Sequence, residues 1–101
     1  MAWRLSHAAA KDVRNILLHS LRRYGVRQAR RYRSGLERAF DSLARSPEMS
    51  RLRPELRQNP RIHPYGAHVI IYRIVNADIE IIRVRHGHED WQADPADWRE
   101  D

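Results

Sequence analysis

The chain has 101 residues, enough for one domain with a single core that removes about 65% of the unfolded surface from water. No stretch approaches the roughly 20 consecutive apolar residues of a membrane span. Cysteine is absent, which excludes a disulfide framework and thiolate metal sites and fits a reducing, cytoplasmic setting. The N-terminus is a poor signal peptide, because Arg4, His7, Lys11 and Asp12 interrupt any apolar run.

The formal charge of +6 is unevenly spread: Glu89, Asp90, Asp94, Asp97, Glu100 and Asp101 against Arg99 make the tail after His88 −5, so the body before it is +11. Lys11 is the sole lysine, and the rest of the positive charge is arginine. Arginine is the planar, bidentate cation suited to phosphates and carboxylates, so a clustered set implies an acidic partner, either nucleic acid or an acidic protein segment. Scattered, solvated arginines would imply no partner.

Taken in order, Trp3 to Leu5 is a short apolar start that reads as a brief strand, and Ser6 behind it is a helix N-cap. Ala9, Val13, Ile16, Leu17, Leu21 and Tyr24 then keep the three-and-four spacing of one buried stripe, which predicts a helix from His7 to Tyr24 closed by Gly25. A second helix follows at once, with Ala29, Tyr32, Leu36, Phe40 and Leu43 on one face, and Ser46 and Pro47 stop it. At about 100° per residue its Arg27, Arg31, Arg38 and Arg45 gather on the opposite face. That stripe is a contact surface or simply a solvated helix face. A connection this short forces the two helices into an antiparallel hairpin whose apolar stripes meet a common core.

From Pro47 to Pro60 the chain has three prolines and no periodicity, and it reads as a connecting loop. Arg61 to Tyr65 is a strand that Pro64 restricts to an edge, and Gly66 and Ala67 turn it into the next one. His68 to Val75 and Ile79 to Arg85 are two β-branched runs separated by Asn76, Ala77 and Asp78, the pattern of a hairpin. Strict alternation puts Ile70, Tyr72 and Ile74 on one face of the first run and Ile71 and Arg73 on the other. It puts Ile82 and Val84 on one face of the second, and Ile81, Arg83 and Arg85 on the other. One face is then a core, and the second an apolar floor set with arginines. The order is strand, helix, helix and three consecutive strands, an α+β domain spanning 1–101 in which a helical hairpin covers one face of a three-stranded antiparallel meander. The acidic tail of that domain, about 89–101, carries Trp91 and Trp98 and reads either as a short helix or as a segment lying against the body through its tryptophans.

Leu5-Ser6 with Ala9 and Asp12 to Ile16, Tyr24-Gly25 with Gln28-Ala29 and Tyr32, Leu43-Ala44 and Pro47 occur in a telling order. Glu55-Leu56-Arg57, His68-Val69-Ile70, Tyr72-Arg73 and Ile79 through Val84 to His86 continue it. In this ordered set, over about residues 5 to 90, the chain resembles toxins of the RelE/ParE superfamily, and more closely the ParE branch. The resemblance implies a type II toxin bound in a hetero-oligomer by a ParD-like antitoxin. In the ParE branch it implies inhibition of DNA gyrase without catalysis. In the RelE branch it implies metal-free cleavage of ribosome-bound mRNA. Cleavage requires a base, an acid and cations for developing phosphate charge. RelE-like enzymes usually place basic residues where this chain has Val69 and where it has Glu89 or Asp90, and their late tyrosine is missing here. Arg85 sits where the ParE branch is usually apolar, so Arg85, His86 and His88 form the set that a ribonuclease reading would use.

The expected contact surface for antitoxin and target is the arginine face, Ile71, Arg73, Ile81, Arg83 and Arg85, with Arg57, Arg61 and Trp91 beside it and the outer surface of the helical hairpin. An apolar floor rimmed by arginine suits an amphipathic acidic segment. Neither a cofactor nor a metal is expected: His86 and His88 with Glu89 or Asp90 begin a zinc set, but without cysteine or a helical His-x-x-x-His pair nothing completes it. Ser6 and Ser20 lack triad partners. Direct DNA binding accounts for a pI near 10.7, although no recognisable DNA-reading motif accompanies it.

Overall fold

The structure is a computed structural model and describes residues 2–87. The chain runs β1 (Trp3–Leu5), α1 (His7–Tyr24), α2 (Val26–Arg45), β2 (Arg61–Tyr65), β3 (His68–Val75) and β4 (Asp78–His86). Ser6 caps α1 as its position requires, its hydroxyl accepting from the Ala9 amide at 3.0 Å. The same hydroxyl donates to the Ile82 carbonyl at 2.7 Å, so one side chain starts the helix and fastens it to the sheet. Gly25 ends α1 at φ 92°, a backbone state that L side chains rarely adopt, and α2 begins at the next residue. In the β3–β4 connection Asn76 takes φ 58°, as asparagine tolerates, leaving a two-residue turn between the paired Val75 and Asp78.

The sheet has four strands in the order β1-β4-β3-β2. Its β2-β3-β4 part is the expected antiparallel meander, with the proline-bearing β2 at an edge. The added member is β1, which pairs in parallel with β4, Trp3 opposite Ile79 and Leu5 opposite Ile81. Parallel neighbours need a long crossover. Here the crossover is the helical hairpin followed by the meander, so the last strand returns to lie beside the first. Between α2 and β2 the loop is tied down by donors from the strands: Tyr72 Oη to the Pro47 carbonyl and Arg61 Nη1 to the Ser50 carbonyl, both at 2.7 Å.

Strict alternation fails at one place. Ile71 pairs with Arg83 but Tyr72 pairs with Ile81, which leaves Ile82 as the extra residue of a β-bulge. The bulge exchanges the faces of β4 beyond it. Ile81 belongs to the core under the helices, with Ile79, Val84, Ile70 and Tyr72 from the sheet and Leu36, Phe40 and Leu43 from α2. Ile82 turns to the opposite face and packs with Ile71. The expectations that Ile81 joins the arginine face and Ile82 the core are therefore both corrected, and the cause is one inserted residue. Nor is the second face a bare apolar floor: Ile71 is 1% exposed, covered by Ile82, Leu56, Ile62 and Val69.

Burying each such isoleucine is worth about 1.5–3 kcal/mol, and the closest fit in the core allows no addition. Gly35 is buried on α2, where a methyl group would collide with the Tyr65 hydroxyl. Gly35→Ala should cost stability by about 1–3 kcal/mol through overpacking, despite the better helix propensity of alanine. Urea denaturation should recover part of the loss in a Gly35→Ala/Tyr65→Phe double variant. Full stability in the single variant would mean that Tyr65 can move away freely.

Candidate functional site

The arginine face is built from β3 and β4, but its charges are engaged from within. Arg73 stands directly opposite Glu80 in the ladder and donates from Nε to Glu80 Oε1 at 2.8 Å. On the other side of the same carboxylate, Arg4 Nε lies 3.8 Å from Oε2. The Glu80 side chain is only 7% exposed, so it is a nearly buried carboxylate held between two cations on neighbouring strands. A lone glutamate in the run Ile79-Glu80-Ile81-Ile82 was the signal for this in the sequence, since a carboxylate survives such burial only when paired.

At the other end of β4 the organiser is Asp12 of α1. Its carboxylate accepts two bonds from Arg83, Nε to Oδ2 at 2.7 Å and Nη2 to Oδ1 at 2.8 Å, the bidentate fork that arginine forms best. Oδ2 also accepts from the backbone amide of Val84 at 3.1 Å, and Arg85 Nη1 lies 3.9 Å from Oδ1. Both side chains of the main pair are nearly buried, Arg83 at 13% and Asp12 at 12% exposure. Asp12 is the only carboxylate of α1, which is the one hint the sequence carried. Its partners are 71 residues away, so no local spacing pointed to them.

Of the other expected contact residues, Arg57 is exposed on the loop, Arg61 is committed to the Ser50 carbonyl, and Ile81 faces the core. Trp91 and His88 lie outside the described residues. Arg85 is opposite Val69 and His86 opposite His68. Successive strand residues project to opposite faces, so Arg85 shares the arginine face with Val69 while His86 shares the helix side with His68. There His68 and His86 meet edge to face at 5.3 Å, and Tyr32 of α2 bonds His68 Nδ1 through its hydroxyl at 2.6 Å. Burial, followed by the neighbouring Tyr65, pushes the Tyr32 phenol up to about 12, so it remains a protonated hydrogen-bonding group at physiological pH. Burial also lowers His63, whose Nδ1 is 3.0 Å from the Ser50 hydroxyl. Among the described residues, no three His, Asp or Glu side chains come together as metal ligands.

A family model described as "ParE toxin of type II toxin-antitoxin system, parDE" matches residues 3–91. The chain is 38% identical over 84 residues to Toxin ParE1 of Caulobacter vibrioides, covering 83% of this chain and 86% of that protein. It is 33% identical over 87 residues to Toxin ParE1 of Mycobacterium tuberculosis, covering 85% and 89% respectively. Among solved structures, the chromosomal ParDE toxin-antitoxin system of P. aeruginosa superposes with a TM-score of 0.71 at 18% identity, over 85% of this chain and 95% of that one. At that identity the likeness speaks for the fold.

Removing one partner of a nearly buried ion pair strands the other, at a cost of about 3–5 kcal/mol. Asp12→Ala should lose this much stability in chemical denaturation, and Arg83→Met, which keeps an apolar stem, should lose less. The double variant should fall well short of the sum of the two, with a coupling of at least about 1 kcal/mol. Strict additivity would mean that the pair holds nothing together.

Proposed function

Because the chain belongs to the ParE toxin family of type II toxin-antitoxin systems, we propose that it arrests growth by occupying DNA gyrase in the cytoplasm, without catalysis, and that a ParD-like antitoxin silences it in a hetero-oligomer. The observation that carries the binding mode is the division of Arg85 and His86 between the two faces of β4. Cleavage of an RNA strand needs proton transfer and cationic stabilisation around one phosphate. Here the His86 imidazole is on the helix side of the sheet, while Arg83 and Arg73 on the other side are drawn towards Asp12 and Glu80. A protein so arranged offers a surface rather than a reaction centre.

For the antitoxin, that surface combines exposed apolar groups with cations. Leu18, Leu21 and Val26 stand 40%, 41% and 53% exposed around the turn of the helical hairpin. Exposed arginines Arg22, Arg23 and Arg27 surround them. On the sheet side, half-buried Leu56, Ile62 and Val69 lie near exposed Arg57. An amphipathic acidic segment crossing from one to the other would bury the first set and pair with the second. Calorimetric affinity for the antitoxin should fall by an order of magnitude or more in Leu21→Asp and in Arg57→Glu, neither of which disturbs a buried contact. If both variants bind as tightly as the parent, the interface lies elsewhere.

Target choice is tested by two assays on one preparation. Supercoiling by purified gyrase should be inhibited, while primer extension on translated message should find no new ends. Codon-specific cleavage that vanishes in His88→Ala or His86→Ala, with gyrase unaffected, would reverse the assignment in favour of a ribosome-dependent endoribonuclease.

A further inference from the structure

On the helix side of the sheet, away from the arginine face, α1, α2 and the facing ends of β3 and β4 enclose a cleft of about 470 Å³. That volume is within the range of small-molecule sites. Its chemistry is selective. Among the described residues its lining contains no carboxylate, lysine or arginine, which disfavours a cationic ligand and keeps strong anions out of the interior. Asn15 of α1 and Gln28 of α2 each offer a donor and an acceptor from one planar amide. His19, Tyr24, Tyr32, His68 and His86 supply ring faces and edges, while the apolar contribution is limited to Ile16 and Ala67 among the remaining lining residues. Amides that donate and accept, set among aromatic rings, are the groups that recognise the edge and the face of a nucleobase.

The rings are already in place. Tyr32 meets Tyr65 at 5.4 Å and His68 at 5.6 Å, both edge to face, and the Tyr32 hydroxyl bond to His68 fixes the imidazole plane. Such a preformed wall spares a ligand the entropy of ordering it. Cations stand immediately outside. Arg27 and Arg31 each precede a lining residue of α2, Gln28 and Tyr32, and at spacing of four they form an exposed ridge one residue round the helix from them. Arg23 stands in the same relation to Tyr24 at the end of α1. An aromatic, amide-bearing interior with an arginine rim fits a planar heterocycle carrying one phosphate.

We infer that this cleft is a binding site for a nucleoside monophosphate, its base between the amides and rings and its phosphate on the arginine ridge. The site shares the exposed Arg23 and Arg27 with the hairpin surface proposed for the antitoxin, but the residues lining its interior are not part of that surface, and it stands whether or not that assignment does. The same chemistry is presented by a free mononucleotide and by a nucleotide within a single strand, and the cleft, lined by α1, α2 and the strand ends, is assigned to the free form.

Isothermal titration of the full chain with the four ribonucleoside 5′-monophosphates, adenosine, inorganic phosphate and a short single-stranded oligonucleotide tests this. At least one monophosphate should bind saturably, and about fivefold or more weakly in Gln28→Ala and in Tyr24→Ala, as expected for losing one base contact. Both positions are exposed, so circular dichroism should be unchanged. The nucleoside should bind more weakly than its monophosphate, and an Arg27→Ala/Arg31→Ala variant should erase that difference. Absence of saturable binding by every monophosphate at millimolar concentration would overturn the inference. So would inorganic phosphate binding as tightly as the nucleotide, or nucleotide binding indifferent to Gln28→Ala and Tyr24→Ala. An oligonucleotide that binds while no free nucleotide does would overturn the free form as occupant.

Discussion

Strand β4 is nine residues long and its neighbour β1 only three, so past Ile81 one edge of a central strand would be left with unpaired ladder groups. A buried amide without a partner costs about 1–3 kcal/mol, and α1 prevents that cost. The Ser6 amide donates to the Ile81 carbonyl, the Ser6 hydroxyl to the Ile82 carbonyl, and the Asp12 carboxylate accepts from the Val84 amide. A helix thereby performs the pairing of a missing strand segment. Since the Asp12 carboxylate lies beside a strand that carries Arg83 and Arg85, the same replacement also determines where two of the central arginines go.

The bulge at Ile82 belongs to this arrangement. It brings Arg83 opposite Ile71 and Val84 opposite Ile70, so that Val84 enters the core while its amide meets Asp12. Without the extra residue, alternation from the register set by Ile79 and Ile81 would carry Arg83 under the helices and Val84 to the opposite face. Bulges concentrate where a strand must redirect its side chains. Here the redirection separates an arginine cluster from a core that could not accommodate it.

This explains how much of the molecule was legible beforehand. Elements with a local cause were: Ser6, Gly25, Asn76 and Pro64 act on their own backbone, and the apolar periodicities of α1 and α2 act within a turn or two, so the boundaries of both helices and the meander follow from neighbouring residues. What depended on distant partners was not. The parallel pairing of β1 with β4 joins residues more than seventy positions apart, the bulge depends on a register between strands, and Asp12 looks on its own helix like any surface carboxylate. The arginine face was correctly seen as a cluster, and its residues were placed together for Arg73, Arg83 and Arg85. Its neutralisation was missed, because Glu80 and Asp12 are visible as partners only once the strands are paired.

That neutralisation changes which charges can reach a partner. Arg73 and Arg83 are tied to carboxylates that are themselves nearly buried, so their contribution to the field outside the protein is largely cancelled. Helix α2, by contrast, carries six arginines against Glu37 and Asp41, and those six side chains are exposed. The long-range attraction of an acidic partner must therefore originate chiefly from the helical hairpin, where screening by salt acts within roughly 10 Å. The sheet face contributes shape and partly buried apolar area instead. On the proposed interface the hairpin would set the rate at which an acidic segment arrives, and the apolar contacts of hairpin and sheet face together, the latter held by Asp12 and Glu80, would set how long it stays.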